Sequence, residues 1–120
     1  MIDHLTLKVR SLQRSKAFLA RALEPLGYRV KMEFEGAAGI GEGESCDLWL
    51  AEDPDPRPMH LAFSAPSRKA VDAFHAAALA AGAKDNGAPG LRPDYHPSYY
   101  AAFVLDETGH NLEAVIHRPE

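Results

Sequence analysis

Two histidines and one glutamate stand where strand geometry places them on a shared face. In the run His4-Leu5-Thr6-Leu7-Lys8-Val9, apolar and polar residues alternate. Side chains alternate across a strand, so Leu5, Leu7 and Val9 face a core and His4, Thr6 and Lys8 face away from it. The run His60-Leu61-Ala62-Phe63-Ser64 has the same phase, with Leu61 and Phe63 inward and His60, Ala62 and Ser64 outward. Near the end of the chain, Leu112, Ala114 and Ile116 pack, while Asn111, Glu113, Val115 and His117 take the opposite face. This reading projects His4, His60 and Glu113 from one concave side. Two neutral imidazoles and a carboxylate suit Fe(II), Mn, Zn, Ni or Co, and leave coordination positions open for substrate or dioxygen. Glu113 sits in an otherwise apolar strand, where an unpaired carboxylate is costly. A metal removes that cost, and so does a salt bridge.

The elements that must position these residues come as a repeat. A shift of 56 residues (60 − 4) lays His4 on His60, Leu5 on Leu61, Leu7 on Phe63, Ser11 on Ser67, Phe18 on Phe74 and Leu23 on Leu79. Dropping one residue brings Gly27 onto Gly82. Ser11 and Ser67 are N-cap candidates, since a hydroxyl accepts from a free amide of the first turn. Leu12, Leu19, Leu23 and Leu26 form one helical stripe, and Val71, Phe74, Ala78 and Ala81 form the other. Each helix ends at a glycine suited to the left-handed C-terminal position. Three strands follow each helix: 28–34, 37–40 and 47–51 in the first half, then 84–86, 99–105 and 111–116 in the second. The stretch from Gly87 to Pro97 reads as a long irregular loop.

The pattern is therefore α+β: two βαβββ modules forming a cupped eight-stranded mixed sheet with the helices outside. It makes one domain over residues 1–120, with module one at about 1–53, the Pro-rich linker 54–58 and module two at 59–118. A ferredoxin-like sandwich uses similar elements, but the repeat favours a duplicated module. Formal charge is −4 with acids and bases interspersed, which argues against nucleic acid or an anionic membrane as partner. The start of the chain shows no signal-like segment and no stretch has the length of a membrane span, so a cytoplasmic location is expected. Cys46 is the only cysteine, which excludes an internal disulfide and a thiolate metal cluster and fits a reducing compartment.

Other residues carry weaker signals. Tyr95, His96, Tyr99 and Tyr100 cluster beside the long loop as candidates for the rim of a pocket, or as aromatic packing. Arg92 is a candidate clamp for a substrate carboxylate, or an exposed loop residue. His117 shares the Glu113 face and is a candidate base or support for a ligand. Trp49 and Lys8 are candidates to line the cavity, with core packing as the other reading of Trp49. His75 lies on a helix and is expected to be solvated.

The opening Ile2-Asp3-His4-Leu5-Thr6-Leu7, the strand Met59-His60-Leu61-Ala62-Phe63 and the ending from Tyr99 through Asp106-Glu107-Thr108-Gly109-His110-Asn111-Leu112-Glu113-Ala114-Val115 closely resemble the glyoxalase/bleomycin-resistance/dioxygenase group, the vicinal oxygen chelate superfamily. The resemblance implies paired βαβββ modules cupped around a metal, with His4, His60 and Glu113 matching ligands on the first, fifth and eighth strands. It also implies a homodimer and a small-molecule substrate. Lyase, isomerase or extradiol-dioxygenase chemistry is implied, or metal-free sequestration of the bleomycin-resistance type. A metal-binding protein without catalysis is a third reading. Two features depart from the family. Aligning Asp47-Leu48-Trp49-Leu50 with Asn111-Leu112-Glu113-Ala114 puts Trp49 at the fourth-ligand position of glyoxalase I members, where it neither ligates nor takes a proton. The tyrosine that extradiol dioxygenases carry ten residues before the glutamate is Phe103 here.

Overall fold

Serine hydroxyls start both helices. In the computed structural model, which describes residues Met1–Glu120, Ser11 Oγ accepts from the Arg14 amide and Ser67 Oγ from the Ala70 amide. Helix α1 (Leu12–Ala22) follows strand β1 (Leu5–Val9), and helix α2 (Arg68–Ala80) follows strand β5 (His60–Ser64). A short 3-10 turn, Glu24–Leu26, extends the first helix to Gly27, whose φ of 87° is left-handed. Gly82 closes the second helix region with φ 107°. The remaining strands are β2 (Arg29–Phe34), β3 (Ala37–Gly41), β4 (Leu48–Glu52), β6 (Lys84–Leu91), β7 (Tyr100–Leu105) and β8 (Asn111–Ile116).

The two βαβββ modules expected from the repeat are present. Their eight strands hydrogen-bond as two four-stranded mixed sheets, ordered β1-β4-β3-β2 and β5-β8-β7-β6. In each, the first strand of the module runs parallel to its last, and the others are antiparallel. β1 and β5 are thus both edge strands, and no ladder joins them within the chain. The helical stripes are buried as their spacing implies, except for Ala81, which caps α2 and is only half-buried. Leu12, Leu19, Leu23 and Leu26 of the first module and Val71, Phe74 and Ala78 of the second belong to one continuous core with Leu7, Ile40, Leu50 and Leu112. The helices also touch each other. Phe74 is fully buried, and trimming it to alanine costs roughly 3–5 kcal/mol.

One element differs from expectation. The segment read as an irregular loop from Gly87 is strand as far as Leu91. Gly87, Pro89 and Gly90 disguise it. Because β6 is a sheet edge, a proline there costs no ladder bond, and the register shifts twice, between Asp85 and Gly87 and between Gly87 and Gly90. Gly87 has φ 152°, and a Cβ there would lie 2.9 Å from the Phe103 ring. No helix is long and apolar enough to cross a membrane.

Candidate metal centre

The parallel β5–β8 ladder sets His60 against Asn111 and Ala62 against Glu113, so the imidazole and the carboxylate are diagonal neighbours on one face. His60 Nε2 and Glu113 Oε1 meet at 2.8 Å. The Tyr99 hydroxyl donates to the other carboxylate oxygen, Oε2. Glu113 is 1% exposed, whereas the His60 side chain is 53% exposed, so a buried carboxylate is reached through an open imidazole. Burial, reinforced by the bond to Glu113, pushes the Tyr99 phenol up to about 12. The phenol therefore stays protonated and donating at neutral pH.

Aromatic rings wall the pair. Phe103 is opposite Glu113 in the β7–β8 ladder, with its ring 6.2 Å from that of His60. The Arg92 guanidinium lies 5.3 Å over Phe103 and donates at 2.8 Å to the carbonyls of Gly90 and of Ala88, so it ties its own bulged strand. His117 meets Tyr99 edge-on at 4.9 Å and His96 at 6.1 Å, and Tyr95 packs on Tyr99 at 5.1 Å. His96 Nδ1 accepts from the Ser98 amide.

Other candidates lie apart. Tyr100, grouped with the rim in the sequence reading, points the opposite way: its hydroxyl donates to Asp72 on α2 and Arg68 stacks on its ring. Adjacent strand residues take opposite faces, so Tyr99 and Tyr100 cannot both reach the site. Strand alternation could have singled out Tyr99, which shares its face with Phe103. Trp49 is opposite Thr6 on the other sheet and stacks on Phe34 at 6.1 Å and 20°. Lys8 is opposite Ala51 on that sheet. His75, expected to be solvated, is instead only 12% exposed and pairs with Asp85 at 2.9 Å.

His4 immediately precedes β1, is 56% exposed and takes Asp3 as its partner. The structure brings together His60 and Glu113, but not His4. No group of three His, Cys, Asp or Glu side chains within one chain is spaced to hold a metal ion. The imidazole nitrogen and carboxylate oxygen that do converge are of the kind that binds a divalent ion, and they fit two of the positions such an ion requires. The pair lies on an open face outside both cavities of the chain. One, of about 370 Å³, lies between Phe18, Arg21 and Gly82; the other, of about 480 Å³, lies between Leu5, Tyr28, Leu61 and Phe63.

The sequence matches the model of the Glyoxalase/Bleomycin resistance protein/Dioxygenase superfamily over residues 1–114. The chain belongs to that superfamily. It is similar to a glyoxalase/bleomycin resistance protein from Albidiferax ferrireducens, with 27% identity, a TM-score of 0.83 and 98% of each chain covered. Its fold is also that of a glyoxalase/bleomycin resistance protein/dioxygenase family enzyme from Burkholderia phytofirmans (18% identity, TM-score 0.76, 98% of each chain). A glyoxalase-related enzyme from Fulvimarina pelagi shares it too (16% identity, TM-score 0.75, 96% of this chain and 86% of that one). No protein with a curated description matches.

Proposed function

We propose that this superfamily member is a divalent-metal-dependent enzyme acting on a small molecule with two neighbouring oxygens, through His60 and Glu113 of one chain and His4 of a second. The observation that supports it is the buried Glu113 carboxylate facing an open surface through His60. A metal bound there would act as Lewis acid and template for an enolate-like or oxyanionic species, in lyase, isomerase or dioxygenase chemistry. The chain's own residues have separable roles. Tyr99 holds one oxygen of Glu113 and so fixes the carboxylate's orientation. Phe103 and the aromatic group of Tyr95, Tyr99 and His117 shield that side from water. His117, edge-on to Tyr99, is the candidate in this reading to exchange a proton with bound substrate. Trp49 offers neither a ligand nor a proton acceptor, so orthodox glyoxalase I turnover is expected to be weak.

A homodimer follows from the same reading. β1 and β5 each leave an edge unpaired, and an open edge is a template for another chain. Pairing two copies through these edges would bring the His4 strand of one beside the His60 strand of the other. A cytoplasmic location suits a chain whose single cysteine is free.

The alternative is a metal-free binding protein that sequesters a drug or metabolite. It is favoured by the hydrogen bonds that already satisfy Glu113 through His60 and Tyr99. Elemental analysis of protein purified without an affinity tag separates the two readings. Stoichiometric metal supports the first, and metal-free protein that binds small molecules supports the second. Turnover of methylglyoxal–thiol adducts or, under anaerobic Fe(II) loading, of catechols then tests for catalysis.

A further inference from the structure

His110 has no exposed surface and makes two backbone bonds, one into each module. Its Nδ1 accepts from the Met59 amide at 3.0 Å, immediately before β5. Its Nε2 meets the Lys8 carbonyl of β1 at 2.8 Å. A carbonyl only accepts and an amide N–H only donates. Nε2 must therefore carry the hydrogen and Nδ1 must be bare, which fixes both tautomer and charge. We propose that neutral His110 is a positioning residue: it clamps β1 to the entrance of β5, three residues ahead of Glu113, and a second proton on its ring opens the clamp.

The consequence follows from donor chemistry. A proton on Nδ1 sets two N–H groups against each other and breaks the Met59 bond. Met59 has no other partner for that amide, whereas its carbonyl keeps the Asn111 amide at 2.9 Å. The junction opens on its β5 side and the β5–β8 ladder persists. The titratable and charged groups on the elements that the clamp joins are Lys8 and Arg10 on and after β1, His60 on β5, Glu113 on β8, and Asp106 and Glu107 in the turn before His110, with Arg14 of α1 reaching Glu107. Asp106 accepts the amides of Thr108, Gly109 and His110 and is held against that turn. Arg10 and Arg14 are both engaged with Glu107. No other side chain supplies the acceptor and donor that the ring offers together.

Half-replacements dissect the clamp. Asparagine at this position has an oxygen near the place of Nδ1 and can keep Met59, but does not reach Lys8. Glutamine has a nitrogen near the place of Nε2 and can keep Lys8. Neither titrates. The experiment is native-state amide exchange on metal-free protein, expressed as protection factors, between about pH 8 and 5. In the unmodified chain the Met59 amide should lose protection as the pH falls, by at most about tenfold per pH unit for one proton, while amides of the β7–β8 ladder hold theirs. His110→Asn should keep Met59 protected and abolish the pH dependence, and His110→Gln should leave Met59 unprotected at every pH. The proposal is overturned if Met59 in the unmodified protein follows the ladder amides at all pH values, or if His110→Asn shows the same pH profile as the unmodified chain. His110→Ala is not needed for the decision, so its failure to fold changes nothing. A second measurement rests on the metal reading above: both variants should bind Zn(II) more weakly although no proposed ligand is altered. If no variant and no unmodified protein binds metal, that reading fails and the exchange result still decides on the clamp.

Discussion

Two variants that each lack a metal site should rescue one another when mixed. His4 is exposed and bonded only to Asp3, so His4→Ala leaves the core intact. His60→Ala removes one of the two side-chain partners of the buried Glu113, at a cost of about 1–3 kcal/mol. Each homodimer of either variant then has two defective sites. When equimolar chains are unfolded together and refolded, about half of the dimers contain one chain of each kind. In such a dimer one site draws His4 and the His60–Glu113 pair from undamaged copies, and the other site carries both losses. About a quarter of all sites should therefore regain the three donors. Elemental analysis after desalting reads this directly as metal per chain, with each variant alone as the baseline and native mass spectrometry to count mixed dimers. If all donors came from a single chain, no mixture would restore a site. Mixed dimers with no more metal than either variant alone would therefore refute the shared site, and a monomer at tens of micromolar would do so earlier.

His60→Ala should abolish metal binding while His75→Ala leaves it at the unmodified level, because His75 is engaged with Asp85 away from the pair; equal occupancy by elemental analysis would defeat the assignment. Trp49→Glu should raise Zn(II) affinity in calorimetry if position 49 faces the shared site, and should lower the melting temperature through loss of the Phe34 stack, worth about 0.5–1.5 kcal/mol; unchanged affinity in a folded variant would remove position 49 from the site. Tyr99 titrates higher in the folded chain than in the unfolded one, so its contribution to stability is complete below about pH 10 and disappears as pH rises through about 12. Tyr99→Phe should flatten that part of the alkaline denaturation profile and remove one late-titrating phenol from the absorbance titration.

The repeated elements were legible because local chemistry determined them. A serine followed by a one-sided apolar stripe and a glycine marks a helix wherever it occurs, and both copies have it. The strand phase of His60 and Glu113 was legible for the same reason, since alternation alone assigns a face. Residue-level partners were harder to read. Tyr99 and Tyr100 are indistinguishable by composition; alternation puts Tyr99 on the face of Phe103, and the register that sets Phe103 against Glu113 makes that face the site and leaves Tyr100 to the helix. β6 was partly hidden because an edge strand can include Gly87, Pro89 and Gly90 among its residues, which in a central strand would be breakers. The grouping of eight strands into two sheets was beyond periodicity, which says which face is buried and nothing about which edges meet.

Alternation places His4 and His60 at equivalent positions of duplicated strands, yet equivalence under a repeat is not proximity. In one chain, the strands that carry or follow these histidines have free edges, and only the His60 strand brings its histidine to a buried carboxylate, the Asp3 partner of His4 being exposed. The second module therefore holds a self-sufficient His60–Glu113–Tyr99 arrangement that needs no metal to satisfy its buried charge. Any divalent ion must displace the hydrogen bond between His60 and Glu113 to bind. On the proposed reading its affinity would be the difference between coordination and that existing bond, and a third donor from a second copy would decide whether the exchange is favourable. If the shared site forms as proposed, metal should tighten the dimer by the same factor by which dimer formation tightens metal.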